Sequence, residues 1–137
     1  MAGARKFLLM LVFILVVGGA VAYLVAFRGA GPPPPPRPVV VGIGTYTTNL
    51  ADTGNPHYIN VTIQVRAVGK KLASLVASRQ VAIDNAVLLA LRGQTYAQVM
   101  GEAGARHLAA VLKGTLAPFL EPDGKIQAVL FTRFLVQ

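Results

Sequence analysis

The 137-residue sequence has no cysteine and no tryptophan, and only five of its residues are acidic. The absence of cysteine excludes disulfides, thiolate metal sites and a cysteine nucleophile. The sequence has two histidines, His57 and His107, and their spacing matches no metal-binding or catalytic motif. We therefore predict a protein that is not an enzyme and that has no catalytic residues, no metal site and no cofactor.

Basic residues are more abundant, and the net charge is +8. Four of the basic residues precede the globular part of the chain, at Arg5, Lys6, Arg28 and Arg37. The others are scattered, without the interleaved aromatic residues that are typical of a nucleic-acid surface. We predict neither a nucleic-acid partner nor a small-molecule substrate.

An uninterrupted apolar run extends from Phe7 to Phe27 and contains no charged residue. Its length matches the ~20 residues that a helix needs to cross a bilayer. Arg5 and Lys6 precede the run and Arg28 follows it, so we expect these residues to flank the membrane. The positive-inside rule favours a cytoplasmic N-terminus and an exported C-terminal domain.

A cleaved secretory signal is the main alternative, because Ala20-Val21-Ala22 fits an A-x-A cleavage site. However, the apolar sequence continues to Phe27, which makes it longer than the ~7–15 residues of an ordinary signal core. We therefore favour an uncleaved anchor. Either interpretation exports the rest of the chain.

Small residues recur every four positions in the apolar run, at Gly18, Ala22 and Ala26. This spacing allows two helix backbones to approach closely within a membrane, so it predicts a helix–helix interface. The alternative is that glycine and alanine, which are common in spanning helices, align here by chance.

A proline-rich segment follows the apolar run, with prolines at 32–36 and 38. Consecutive prolines favour an extended polyproline II conformation, which acts as a semi-rigid spacer. We predict a cytoplasmic N-terminus at 1–6, a transmembrane helix at 7–27, a linker at 28–38 and a periplasmic domain at 39–137.

The domain begins with two predicted strands that should pair as an antiparallel hairpin. The first spans Val39 to Leu50, and the second has apolar residues at alternate positions from Ile59 to Val65. Helical spacing then predicts one long helix from Leu72 to Leu91, which ends at Gly93.

Further elements follow this helix. Thr95 and Gln98 match a capping box that starts a short helical turn, interrupted near Gly101 and Gly104. The next helix carries apolar residues on one face and should stop at its prolines. The apolar residues are Leu108, Val111, Leu112, Leu116 and Phe119, and the prolines are Pro118 and Pro122.

The last predicted strand spans Lys125 to Gln137 and is apolar on both alternating faces, so we expect it to be central or covered by a partner. Strict alternation places the following residues on one face: Ile126, Ala128, Leu130, Phe134 and Val136. It places Val129, Phe131 and Leu135 on the other. The predicted fold class is α+β, a sandwich-like domain of β-β-α-α-β order with helices against a small mixed sheet.

Four segments, in this order and spacing, resemble the FliL family of flagellar basal body-associated membrane proteins: GTYTTNLADTGNPHYINVTIQV, SRQVAIDNAVLLAL, GQTYAQV and VLFTRFLVQ. The resemblance extends from roughly Ile43 to Gln137. The sequence departs from the family pattern at Arg133, where an acidic residue is usual.

The resemblance implies a single-pass protein of the bacterial inner membrane whose periplasmic domain has a stomatin-like (SPFH) fold. It also implies a homo-oligomeric ring around the stator proteins of the flagellar motor that supports torque generation, swimming, swarming and chemotactic motility. We expect partner contacts at Lys70, Lys71, Arg79 and Arg133. The alternative is a membrane-tethered module that binds peptidoglycan or an acidic ligand through Lys70, Lys71, Arg79 and Arg106.

Overall fold

The computed structural model describes residues 2–29, 31–121 and 123–137. The chain divides into two compact units, residues 1–35 and 36–137. The first contains a single helix, α1 (Ala2–Arg28). Within the described residues, α1 is long and apolar enough to cross a membrane.

The second unit is the α+β domain that the sequence predicts. Its elements are β1 (Val39–Asn49), β2 (Tyr58–Gly69), α2 (Leu72–Ser78), α3 (Gln80–Arg92), α4 (Tyr96–Val99), α5 (Gly101–Leu120) and β3 (Gly124–Val136). Four helices therefore separate the hairpin from the last strand, where the sequence predicted two helices and a turn.

The three strands form one antiparallel sheet in the order β1-β2-β3. The predicted β1–β2 hairpin is confirmed. The prediction of a mixed sheet is wrong, because both pairings are antiparallel. The last strand was predicted to be central or covered by a partner. A central place is wrong, since β2 occupies the centre and β3 lies at an edge of the sheet, and coverage by a partner stays a prediction.

Bulges explain why β3 is apolar at so many positions. Gln127 and Thr132 are each an extra residue that β2 does not pair, and Ile43 is the equivalent in β1. Each extra residue reverses the alternation of the side chains that follow it. Strict alternation consequently assigned several β3 residues to the wrong face. The register places Ile126, Val129, Phe131, Phe134 and Val136 opposite the inward-facing residues of β2.

The core lies between the inner face of the sheet and the helices. On β2, every second side chain from Ile59 to Ala67 is at most 1 % exposed. These side chains pack against buried helical residues, which include Ile83, Val87, Leu91, Leu108, Leu112 and Leu116. The opposite face of the sheet is partly exposed to solvent.

The single long helix predicted from Leu72 to Leu91 is wrong, because α2 and α3 meet at Arg79 with a bend of 80°. The bend directs Val76 of α2 and Ile83 of α3 into the same core. These two residues are seven positions apart, so the helical period continues across the break and the sequence gives no sign of it.

The capping box at Thr95 is confirmed, since the Thr95 backbone N–H donates to Gln98 Oε1 at 2.9 Å. The predicted interruption at Gly104 is wrong: Gly104 lies buried inside α5, where a Cβ atom would stand 2.2 Å from the Val99 carbonyl carbon. Glycine is needed there because α4 packs closely against α5.

The C-terminal end of α5 also differs from the prediction. Pro118 lies within the helix, which ends at Leu120. A proline so near the end removes one backbone hydrogen bond without preventing the last turn. Pro122, the second predicted stop, lies outside the described residues.

Candidate interaction surfaces

The histidines have structural contacts within the domain. The His57 ring stacks on Tyr96 with centroids 4.2 Å apart. His107 Nε2 lies 2.8 Å from Gln94 Oε1. Within 2–29, 31–121 and 123–137, no three side chains of the metal-ligating types come together as a metal site. The surfaces of the domain are therefore better candidates for function than any reactive cluster.

A polar cluster attaches β1 to α3. The Tyr46 hydroxyl donates to Asp84 Oδ1 at 2.7 Å, and Gln80 Nε2 donates to the same oxygen at 2.7 Å. Gln80 Nε2 also lies within 3.1 Å of the Ile43 carbonyl oxygen. Burial raises the pKa of Tyr46, and the neighbouring Asp84 carboxylate raises it further. The phenol therefore remains a hydrogen-bond donor over the physiological pH range.

Acidic side chains are engaged within the domain. Asp52 Oδ2 accepts a hydrogen bond from the Tyr96 backbone N–H at 2.7 Å, which attaches the β1–β2 loop to the start of α4. Glu102 forms an ion pair with Arg106 on the exposed surface of α5. Together with the Tyr46 contact of Asp84, these interactions occupy three of the five carboxylates of the chain.

Two of the four predicted partner residues lie together. Lys70 and Lys71 line a hollow of about 250 Å³ between β2 and α2, together with Ser74, Ser78 and Asp123. Lys71 has a positive φ of 62°, which turns the chain sharply from the strand into the helix. This hollow joins two lysines and two serines with the acidic residue Asp123.

The other predicted residues lie elsewhere. Arg79 Nη1 donates to the Phe119 carbonyl oxygen at 2.8 Å, where a positive charge complements the C-terminal end of α5. Arg106 is paired with Glu102. Arg133 is on β3, where it pairs in register with Thr62. The predicted basic residues therefore do not form one surface.

The uncovered side of the sheet is a further candidate, which we call the outer sheet face. It includes outward-facing residues of β2 and residues of β1 and β3 that the register pairs with that side of β2: Val40, Thr45, Thr47, Tyr58, Asn60, Thr62, Gln64, Arg66, Lys125, Ala128, Leu130, Arg133 and Leu135. Its three charged residues are all basic. None of the five acidic residues of the sequence lies in a strand.

A family model described as flagellar basal body-associated protein FliL matches residues 40–137, which is nearly the whole domain. The chain belongs to the FliL family. No curated protein matches the sequence in a direct comparison. FliL proteins are structural components associated with the flagellar basal body, and the family is not a known enzyme family.

The FliL match starts after α1, so this helix is judged from its own residues. Gly18, Ala22 and Ala26 lie on α1 at four-residue intervals, and a Cβ atom on Gly18 would have open space around it. Their role in a helix–helix interface stays a prediction. Arg5, Lys6 and Arg28 belong to the two ends of the same helix.

Sequence reasoning missed two features of this FliL domain. The first is the Tyr46–Asp84–Gln80 cluster, whose members lie on β1 and α3. Only the Gln80–Asp84 spacing of four residues was visible as a helical pair. The second is the part of the outer sheet face that β3 contributes, because the bulges at Gln127 and Thr132 hide which β3 residues face outward.

Proposed function

We propose that this FliL-family protein associates with the stator units of the flagellar motor as a homo-oligomeric ring and supports torque generation. The observation that carries the proposal is the FliL match over residues 40–137. The proposal includes a cytoplasmic N-terminus and a periplasmic domain, so that α1 lies beside the membrane helices of a stator.

Two features of the chain support this role. The helix α1 is followed by a segment with prolines at 32–36 and 38, which favours an extended spacer of ~3.1 Å per residue. The domain has a continuous core and a large exposed sheet face, as expected of a protein that acts by contact. A tether, a spacer and a binding domain suit a scaffold beside a larger machine.

The proposal is tested by deleting the gene and measuring motility against load. We expect the deletion strain to assemble filaments of normal number, yet to swim more slowly in viscous medium and to swarm poorly. A photo-crosslinker at Ala22, on the small-residue face of α1, should recover a stator subunit from native membranes. Unchanged motility at high load, or crosslinks to lipid alone, would contradict the proposal.

A second candidate function is the binding of peptidoglycan or another acidic ligand. The hollow beside Lys70 and Lys71 favours it, because ammonium and hydroxyl groups together bind carboxylates and phosphates. Salt-sensitive binding of peptidoglycan fragments, lost in Lys70→Gln and Lys71→Gln, would support this function. Binding that persists in both variants would exclude this hollow as the site.

A further inference from the structure

We propose that the outer sheet face binds an extended acidic segment of a partner protein. The inference deepens the interaction role proposed above, since it names a surface and the chemistry of its partner. It rests on three observations: the sign of the charge on this face, a hollow at one end of it, and a polar atom there that lacks a hydrogen-bond donor.

Charge is the first observation. Arg66, Lys125 and Arg133 are exposed and lie on the outer sheet face, and no Asp or Glu side chain lies on the strands that form that face. The hydrogen bonds and ion pair of the described residues include none from these three side chains. A surface whose charges are all positive attracts acidic groups, and complementary charge of this kind steers and aligns a partner.

A hollow of about 360 Å³ is the second observation. Its walls include Tyr58, Asn60, Leu135 and Arg133. Tyr58 and Leu135 are each 49 % exposed. The hollow thus offers an apolar wall beside a guanidinium group. A peptide supplies both an apolar side chain and a carboxylate.

The third observation is an unpaired acceptor. Asn60 Nδ2 donates to Thr47 Oγ1 at 2.7 Å across the β1–β2 pair. Asn60 Oδ1 is inaccessible to solvent and has no hydrogen-bond partner among the described residues. Buried polar atoms are normally paired, because an unpaired acceptor costs free energy. Because this oxygen is covered, an outside donor reaches it only when the Asn60 side chain turns toward the hollow that it lines, and a backbone N–H of a bound peptide would supply that donor.

The register gives the spacing of the expected segment. Arg133 lies opposite Thr62, Leu130 opposite Gln64, and Ala128 opposite Arg66. The pair that contains Arg133 and the pair that contains Arg66 are therefore four residues of β2 apart, roughly 13 Å at ~3.3 Å per residue. The apolar side chain of Leu130 lies between them. An extended peptide with Glu, Leu and Glu at alternate positions has the same spacing.

An acidic peptide fits this face better than a lipid surface does. The charges are arranged along the strands around an apolar row, and the hollow at one end combines apolar walls with a guanidinium group at a fixed place. Headgroups of a fluid bilayer impose no such order. We do not expect the peptide to add as a fourth strand at an edge of the sheet, because both edge strands carry bulges, which hinder the addition of another strand.

The experiment measures peptide binding to the full-length protein in phosphatidylcholine nanodiscs, by fluorescence anisotropy. The probe is a labelled peptide in which Leu, Glu, Leu and Glu alternate with threonine, and the control peptide has Gln in place of Glu. We expect the acidic probe alone to bind, and we expect its binding to disappear at ~1 M salt, where the Debye length is ~3 Å.

Variants locate the site. Arg133→Gln and Arg66→Gln should each weaken binding roughly fivefold, the value for loss of about 1 kcal/mol from an exposed ion pair. Lys113→Gln is the matched control, because Lys113 is an exposed lysine of α5 whose loss changes the net charge equally. Circular dichroism would verify that each variant is folded.

Three results would overturn the inference: no binding of the acidic probe, equal binding of the Gln peptide, or equal weakening by Lys113→Gln. The assay contains no flagellar component, whereas the motility test depends on the motor. Failure of the peptide-binding inference is therefore distinguishable from failure of the stator proposal.

Discussion

The Tyr46 hydroxyl lies 2.7 Å from Asp84 Oδ1 and joins the first strand of the domain to the helix that covers it. Tyr46 is only 6 % exposed, and Asp84 is partly buried. The contact links residues that are 38 positions apart in the sequence. It thus connects the hairpin to α3, just after the bend at Arg79.

Removing this hydroxyl should destabilise the domain. We expect Tyr46→Phe to lower the free energy of unfolding of residues 36–137 by about 1–2 kcal/mol, because Asp84 loses a buried hydrogen bond. Urea unfolding followed by far-UV circular dichroism measures the change. Tyr58→Phe is the matched control, since Tyr58 is 49 % exposed and should shift the value by less than ~0.5 kcal/mol. Equal losses in both variants would contradict the assignment.

Alkaline pH should weaken the same contact. Because the pKa of Tyr46 is raised in the folded state, the folded protein holds this proton more tightly than the unfolded chain does. The stabilisation is fully present below the ordinary tyrosine pKa of about 10 and declines as the pH rises above it. Wild type should therefore lose stability above that pH more steeply than Tyr46→Phe. Parallel curves for the two proteins would contradict this prediction.

Two glycines of α5 should respond in opposite directions to alanine. Gly104→Ala places a Cβ atom 2.2 Å from the Val99 carbonyl carbon and should cost about 1–3 kcal/mol. Gly114→Ala meets no atom within 4 Å and should stabilise the helix by roughly 0.5–1 kcal/mol. Thermal unfolding of residues 36–137 would measure both. A neutral Gly104→Ala would show that α4 can move away from α5.

The elements that were predictable depend on local patterns. The alternation from Ile59 to Val65 predicted β2 and its buried face, and the Thr95 capping box predicted the start of α4. The bend at Arg79 could not be predicted, because the apolar period continues from α2 into α3 while the chain turns. Gly104 looked like a helix breaker, yet its role is set by a neighbour that only the tertiary structure provides.

The candidate surfaces were predictable only in part. The sequence identified Lys70, Lys71 and Arg133 as exposed basic residues, and the structure places the two lysines in one hollow. It could not show that Arg133 and Arg66 share a face, because two bulges in β3 reset the alternation. Family resemblance was readable from the order of short segments, without knowledge of the register.

The orientation of α1 can be tested with reporter fusions. Alkaline phosphatase fused after Gln137 should be active, because the positive-inside rule places the domain outside the cytoplasm. A fluorescent protein of the kind that matures only in the cytoplasm should stay dark at that position. Arg5→Glu with Lys6→Glu removes the basic flank and should lower phosphatase activity. Fluorescence of the C-terminal fusion to the unaltered chain would show the opposite orientation.

The most direct test is the torque of single motors in a deletion strain that carries either the full chain or residues 23–137 exported behind a cleavable signal. Bead rotation at high load measures it, with periplasmic protein levels matched. We predict that the anchored chain restores wild-type torque and that the trimmed, soluble chain does not. Equal restoration by the two would contradict the claim that this FliL-family protein works as a membrane-anchored part of the motor.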